Sequence, residues 1–106
     1  MLRIPTHRPP THPGEMLKAE FLDPLGLTQR EAALRLGISY PRINDLVHAR
    51  RSVTPDTALR LERLFGIEAQ FWLNLQLVCD LYEARRAPSS RALRQIQPIQ
   101  KLRRAS

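Results

Sequence analysis

The sequence predicts an all-α domain of five helices followed by a basic C-terminal tail. Three observations carry that reading. Apolar residues recur three and four apart through most of the chain, and no stretch alternates long enough to argue for a strand. Three of the four glycines, Gly26, Gly37 and Gly66, sit where these periodic runs should stop. The charge is divided unevenly. Residues 1–83 carry ten Lys/Arg and ten Asp/Glu, whereas residues 84–106 carry seven Lys/Arg and no acid, so the whole net charge of +7 lies in the C-terminal segment.

A length of 106 residues predicts a single domain with a thin core. Its 42% hydrophobic and 25% charged residues suit a soluble globular chain. No apolar run approaches the roughly 20 residues that span a bilayer, so no membrane partner is expected. The N-terminus lacks the apolar core of a signal peptide. The lone cysteine, Cys79, cannot form an internal disulfide. The expected location is the cytoplasm.

Residues 1–12 hold three prolines and two histidines without periodicity and are expected to be an extended lead-in. Residues 13–86 form the folded domain, and 87–106 the tail. The first helix is expected from Pro13 to Leu22, with proline in its first turn, Glu15 at the positive end of its dipole, and Leu17 and Phe21 inward. Asp23-Pro24 is expected to end it, because a residue before proline disfavours helical torsions. The second helix runs from Thr28 to Leu36. Thr28 and Glu31 have the spacing of a capping box, and Ala32, Ala33 and Leu36 make a small apolar face. Gly37 then closes this helix, and Ser39 caps the next only two residues later.

The third helix turns Ile43, Leu46 and Val47 inward and leaves Tyr40, Arg42, Asn44, Asp45 and His48 outward. A short basic loop, Ala49 to Ser52, follows. Thr54-Pro55-Asp56 starts the fourth helix, with Ala58, Leu61, Leu64 and Phe65 at helical spacing. The fifth, from about Glu68 to Arg86, is apolar on two stripes. Phe71, Leu75, Val78 and Tyr82 form one, and Leu73, Leu77 and Leu81 the other, with Trp72 adjacent. Gln76, Asp80 and Glu83 are left as a narrow polar strip. One stripe is enough to dock on a small domain, so the extra width predicts a second contact.

The second helix, the tight turn and the third helix match a helix-turn-helix, whose second helix enters the DNA major groove N-terminus first. The first-turn residues Tyr40, Pro41 and Arg42 then face the bases. A guanidinium at Arg42 suits a bidentate pair with guanine. Gln29, Arg50 and Arg51 suit phosphates. Catalytic readings are poor. His7 and His12 lie at a proline-rich end, and His48 and Cys79 lack ligand-spaced companions. There is no glycine-rich phosphate loop. Cys79, within the apolar fifth helix, reads as packing. No enzyme activity, cofactor or metal is expected.

Four segments carry a resemblance: HPGE at 12–15, TQREAALRLGIS at 28–39, TPDTALRLERLFG at 54–66 and FWLNLQLVCDLYEAR at 71–85. Together they resemble the HigA/VapI antitoxins, a branch of the XRE, phage-repressor-like helix-turn-helix group. The resemblance spans about residues 12–86 and leaves the tail outside. It implies an antitoxin of a type II toxin–antitoxin module. Such a protein silences a HigB-like, mRNA-cleaving toxin and represses its own operon as a homodimer on double-stranded operator DNA.

Carried onto this chain, the base-reading positions are Ser39, Tyr40, Pro41, Arg42 and Asp45, and the backbone contacts are Thr28, Gln29, Arg50 and Arg51. The dimer surface falls on the fifth helix, at Trp72, Leu75, Val78, Cys79 and Tyr82. Tyr40-Pro41 departs from the Gln, Ser or Thr common early in the reading helix of the wider group. Two alternatives stay open: a stand-alone transcriptional regulator, and a toxin-binding module without specific DNA binding.

Overall fold

A computed structural model describes residues 9–99; the outer parts of the lead-in (1–8) and of the tail (100–106) lie outside the described residues. Five principal helices and one short turn of helix follow in order: α1 beginning at Pro13, α2 Gln29–Leu36, α3 Tyr40–Val47, α4 Pro55–Phe65, α5 Ala69–Arg86 and α6 Ser90–Leu93. Among the described residues there is no strand, and no helix is long and apolar enough to cross a membrane. Residues 9–12 are non-helical, as expected of a lead-in.

Helix α1 departs from the expectation at its end. An α-helical start, Pro13–Leu17, passes into a π-helical stretch, Lys18–Leu22, and then a last turn, Asp23–Leu25. The chain therefore continues through Asp23-Pro24 and stops at Gly26, which takes a left-handed φ of 68°. The wide π turn explains the difference. Pro24 has no N–H to give, and its ring would strike the carbonyl four residues back in a regular helix. Here Asp23 donates five residues back to the Lys18 carbonyl, and the wider turn accommodates the ring.

The other boundaries follow their sequence signals. Thr28 Oγ1 accepts from the Glu31 N–H at 3.0 Å, and Glu31 Oε1 accepts from the Thr28 N–H at 3.0 Å. Donation from the Thr28 N–H and, second, from its hydroxyl holds the Glu31 carboxyl below the usual carboxylate range. Ser39 Oγ accepts from the Arg42 N–H at 3.2 Å, and Thr54 Oγ1 from the Thr57 N–H at 3.3 Å.

The core joins Leu17 and Leu22 of α1, Ala32, Ala33 and Leu36 of α2, Ile43, Leu46 and Val47 of α3, Ala58 and Leu61 of α4, and Trp72 of α5. Phe21 links two aromatic partners, with its ring centroid 5.0 Å from Phe65 and 5.3 Å from Trp72.

Two expectations about α5 are corrected. Trp72, assigned to a dimer surface, is 0% exposed within the single chain and cannot gain burial from a partner. Val78 and Tyr82 are likewise buried already, and Leu75 and Cys79 are half-covered. The Cys79 thiol lies 3.4 Å from the Thr11 carbonyl, so part of this stripe meets the lead-in. Burial, reinforced by Asp80, Glu15 and Glu83, raises the Cys79 pKa, which keeps the sulfur a neutral packing group. Gln76 is also not on a solvated strip. It is buried, accepts from the Val53 N–H at 2.8 Å and donates to Asp80 at 3.0 Å. It thereby ties the basic loop after α3 to α5.

The HPGE segment has a local physical meaning. His12 Nδ1 accepts from the Gly14 N–H at 2.9 Å, and Glu15 Oε1 accepts from the His12 N–H at 3.1 Å. Gly14 lies against the α3 backbone. A Cβ built there would sit 1.6 Å from the Leu46 carbonyl oxygen, which is part of the main chain. Only a residue without a side chain lets α1 cross α3 at this distance.

Gly14→Ala is expected to force the two helices apart. The loss should be about 1–3 kcal/mol or more, read from urea or thermal unfolding. His12 supplies a pH-dependent effect. Burial lowers its pKa below the ordinary 6.5, while Glu15 and Asp80 pull the other way. The unfolded chain therefore takes up the proton first as pH falls. Stability is full above the unfolded value and declines as pH falls through the folded one. His12→Asn keeps a good N-cap and should flatten the stability profile on the acid side of the ordinary histidine value of 6.5.

Candidate nucleic-acid interface

The turn between α2 and α3 is set by Gly37, with φ 73°, and by Ser39 as the next N-cap. Helix α4 clamps it from below. Arg60 donates from Nη1 to the Leu36 carbonyl at 2.9 Å and to the Gly37 carbonyl at 3.3 Å. A cation on the carbonyls closing α2 satisfies groups left without helical partners and favours the negative end of the dipole. Nothing in the periodicity of α4 singles out Arg60. The signal was its place four residues after Asp56, which accepts from Arg60 Nε at 2.8 Å.

Asp56 also accepts from Arg42 at 3.3 Å, and the same Arg42 nitrogen donates to Thr57 Oγ1. Hydrogen bonds from Arg60 first and Arg42 second hold the Asp56 carboxyl below its usual range. The expectation that Arg42 stands outward is corrected here. It is half-buried, and its guanidinium turns back onto the first turn of α4. The reason is local. Arg42 is the third residue of its helix, and its side chain lies over the start of α4, where a carboxylate and a hydroxyl are both in reach.

The remaining first-turn residues are exposed. Ser39, Tyr40 and Pro41 lie on the surface. The Arg30 guanidinium stacks 4.8 Å from the Tyr40 ring centroid, joining the start of α2 to the start of α3. Arg30, Ala33, Leu34, Ile38 and Tyr40 line a shallow hollow beside it. Pro41 occupies the first turn, where its missing N–H costs nothing.

Further along α3, Asn44 is the hub that the sequence reading left as a bare outward residue. Its Nδ2 donates to Gln29 Oε1 at 2.9 Å, and its Oδ1 accepts from Arg50 at 3.1 Å. Gln29 is thus fixed at the head of α2 by a residue of α3. Asp45 faces the basic loop, 3.4 Å from Arg50 and 3.5 Å from Arg51. Ala49 takes a positive φ of 58°, rare for a residue with a side chain, and turns the chain so that both arginines return toward α3.

The structure therefore brings Ser39, Tyr40, Pro41, Asp45, Thr28, Gln29, Arg50 and Arg51 onto the α2–α3 side of the domain. Arg42 is held at its edge. The ion pairs of Arg50 and Arg51 are solvent-exposed and worth little, so exchanging Asp45 for a phosphate is inexpensive. Arg42 itself is less exposed than Arg50 or Arg51 and also donates to Thr57, so it is harder to displace.

The helix-turn-helix family HTH_3 matches residues 17–72. Virulence-associated protein I of Dichelobacter nodosus is 51% identical over 73 residues, spanning 69% of this chain and 68% of that protein. Antitoxin HigA-1 of Vibrio cholerae is 36% identical over 80 residues, spanning 76% of this chain and 75% of that protein. Among solved structures, the Pseudomonas aeruginosa antitoxin HigA with the higBA promoter superposes with a TM-score of 0.80 at 39% identity. It covers 85% of this chain and 98% of its own. A non-enzymatic, DNA-binding class fits the interface described above. The chain belongs to the HTH_3 helix-turn-helix family, as a HigA/VapI-type antitoxin.

Proposed function

We propose that this chain silences a HigB-like, mRNA-cleaving toxin and represses its own operon by binding a palindromic operator as a homodimer. The observation that carries the reading is the exposed first turn of α3 set beside two arginines whose only described ion-pair partner is one weakly held carboxylate, Asp45. The promoter-bound Pseudomonas aeruginosa relative supports it. Ser39, Tyr40, Pro41 and Asp45 face the bases. Thr28, Gln29, Arg50 and Arg51 hold phosphates. Arg42 acts differently from a free reader: through Asp56 and Thr57 it sets the pose of α3 on α4.

Dimerisation uses the side of α5 centred on Leu77. Leu73, Leu77 and Leu81 recur at intervals of four; Leu77 is exposed, Leu81 half-exposed, and Leu73 packs partly on the core. A symmetric dimer would place its two reading helices one helical turn apart, about 34–36 Å.

One observation favours the second reading, a toxin-binding module without specific DNA binding. Pro41 donates nothing, and Arg42 is turned inward, so few base-directed donors remain on α3. A reporter fused to the chain's own upstream DNA, together with growth on co-expression of the neighbouring gene, separates the two. Repression with growth rescue supports the proposal, and rescue without repression supports the second reading.

Tyr40→Ala is expected to narrow the operator-to-random affinity ratio by about 1–3 kcal/mol in gel shifts. Arg42→Ala should instead weaken binding to all sequences in step and lower the melting temperature. Selective loss on the operator alone would return Arg42 to the role of base reader. Leu77→Asp should give a monomer by light scattering at micromolar concentration while leaving the helical content unchanged.

A further inference from the structure

The excess charge has its own geometry. Helix α5 passes the basic loop, where Gln76 binds the Val53 N–H. A groove of about 620 Å³ has Ala49, Arg50 and Arg51 on one wall and Cys79, Tyr82 and Glu83 on another. The chain thus leaves the folded domain within one helical turn of residues that border the phosphate-facing loop. From there on it carries only cations. Arg85, Arg86, Arg91 and Arg94 are all exposed, and Lys101, Arg103 and Arg104 follow in sequence. Among the described residues, the ion pairs use Lys18, Arg42, Arg50, Arg51 and Arg60, and none uses a tail cation. Arg86 rests over the Tyr82 ring at 5.2 Å, one turn back along α5 on the residue that lines the groove.

We propose that residues 85–106 are a second DNA-binding element, an arm that runs along the phosphates flanking the site bound by α3. This rests on the DNA-binding reading above and adds a second surface to it. The folded part is charge-neutral, with ten cations against ten anions, and several of its cations are already paired. The long-range attraction to a polyanion must then come from the tail. Reach is sufficient. The 20 residues from 87 onward span at most on the order of 60–70 Å when extended, against about 34 Å for one turn of duplex. The apolar residues Leu93, Ile96 and Ile99 are exposed, but Pro98 interrupts their rhythm, so they form no continuous stripe for a protein groove. An arm of this kind carries no sequence information. It adds affinity, speeds association and steepens the salt dependence.

The test is a full-length variant with Arg91→Gln, Arg94→Gln, Lys101→Gln, Arg103→Gln and Arg104→Gln, alongside the Arg91→Gln/Arg94→Gln pair. Both are titrated against operator and random duplexes at several salt concentrations. Arg91 and Arg94 are exposed, so an unchanged melting curve is expected for the pair. The slope of log affinity on log salt should fall by about 0.9 for each phosphate no longer neutralised, and by about 2 or more for the fivefold variant. Affinity should drop by the same factor on both duplexes. Unchanged slope and affinity overturn the proposal. Unchanged DNA binding with abolished toxin neutralisation also overturns it and assigns the tail to a protein surface. If the native chain fails to distinguish operator from random DNA, sequence-specific repression fails, while the slope difference on random duplex still decides the role of the arm.

Discussion

The domain depends on one close approach, between the backbone of α1 at Gly14 and the carbonyl of Leu46 in α3. The reading helix of a helix-turn-helix must project outward with a fixed tilt, yet α3 is only eight residues long. It cannot hold that tilt by itself. Its inner face sits on α2 through Ile43, Leu46 and Val47, and its C-terminal end is pinned where α1 crosses it. A larger residue at position 14 would move main chain against main chain, and no side-chain rotation relieves such a clash. The cap that starts α1 at His12 and Glu15 sets where Gly14 falls. Local helix initiation is therefore coupled to the aim of a helix thirty residues away.

A second set of ties comes from α4. Asp56 lies between Arg42 on α3 and Arg60, which closes α2. One carboxylate in a first helical turn thus links both helices of the motif. The same arrangement changes the view of charge on the DNA side. Arginines that look available in the sequence are graded by how firmly they are held. Arg50 and Arg51 share the half-exposed Asp45 and can exchange it for phosphate. Arg42 is embedded between two helices and serves geometry.

Most of the fold was legible because short helices advertise their ends. Capping residues and glycines marked the limits of α2, α3 and α4, and the caps formed as the spacing implied. The end of α1 was not legible, because the rule that proline stops a helix assumes a regular turn, and the π-helical stretch before Pro24 removes that assumption. The site was legible as a surface but less so as a set of roles. Periodicity places Arg42 and Asn44 outward, yet their partners lie 14 and 15 residues away in sequence, on other helices. Trp72 and Gln76 were misplaced for a related reason. A helix apolar nearly all round does not declare which stripe the lead-in and the loop will cover.

The domain is a neutral scaffold that fixes a short reading helix, with cations arranged around and after it. On the proposed reading, affinity comes from phosphates and selectivity from the exposed first turn of α3. The most direct measurement is a salt titration of the full chain on its own upstream duplex and on a random duplex of equal length. The account predicts two steep lines, with the upstream duplex bound about 10³-fold or more tightly across the range. Lines that coincide would contradict it.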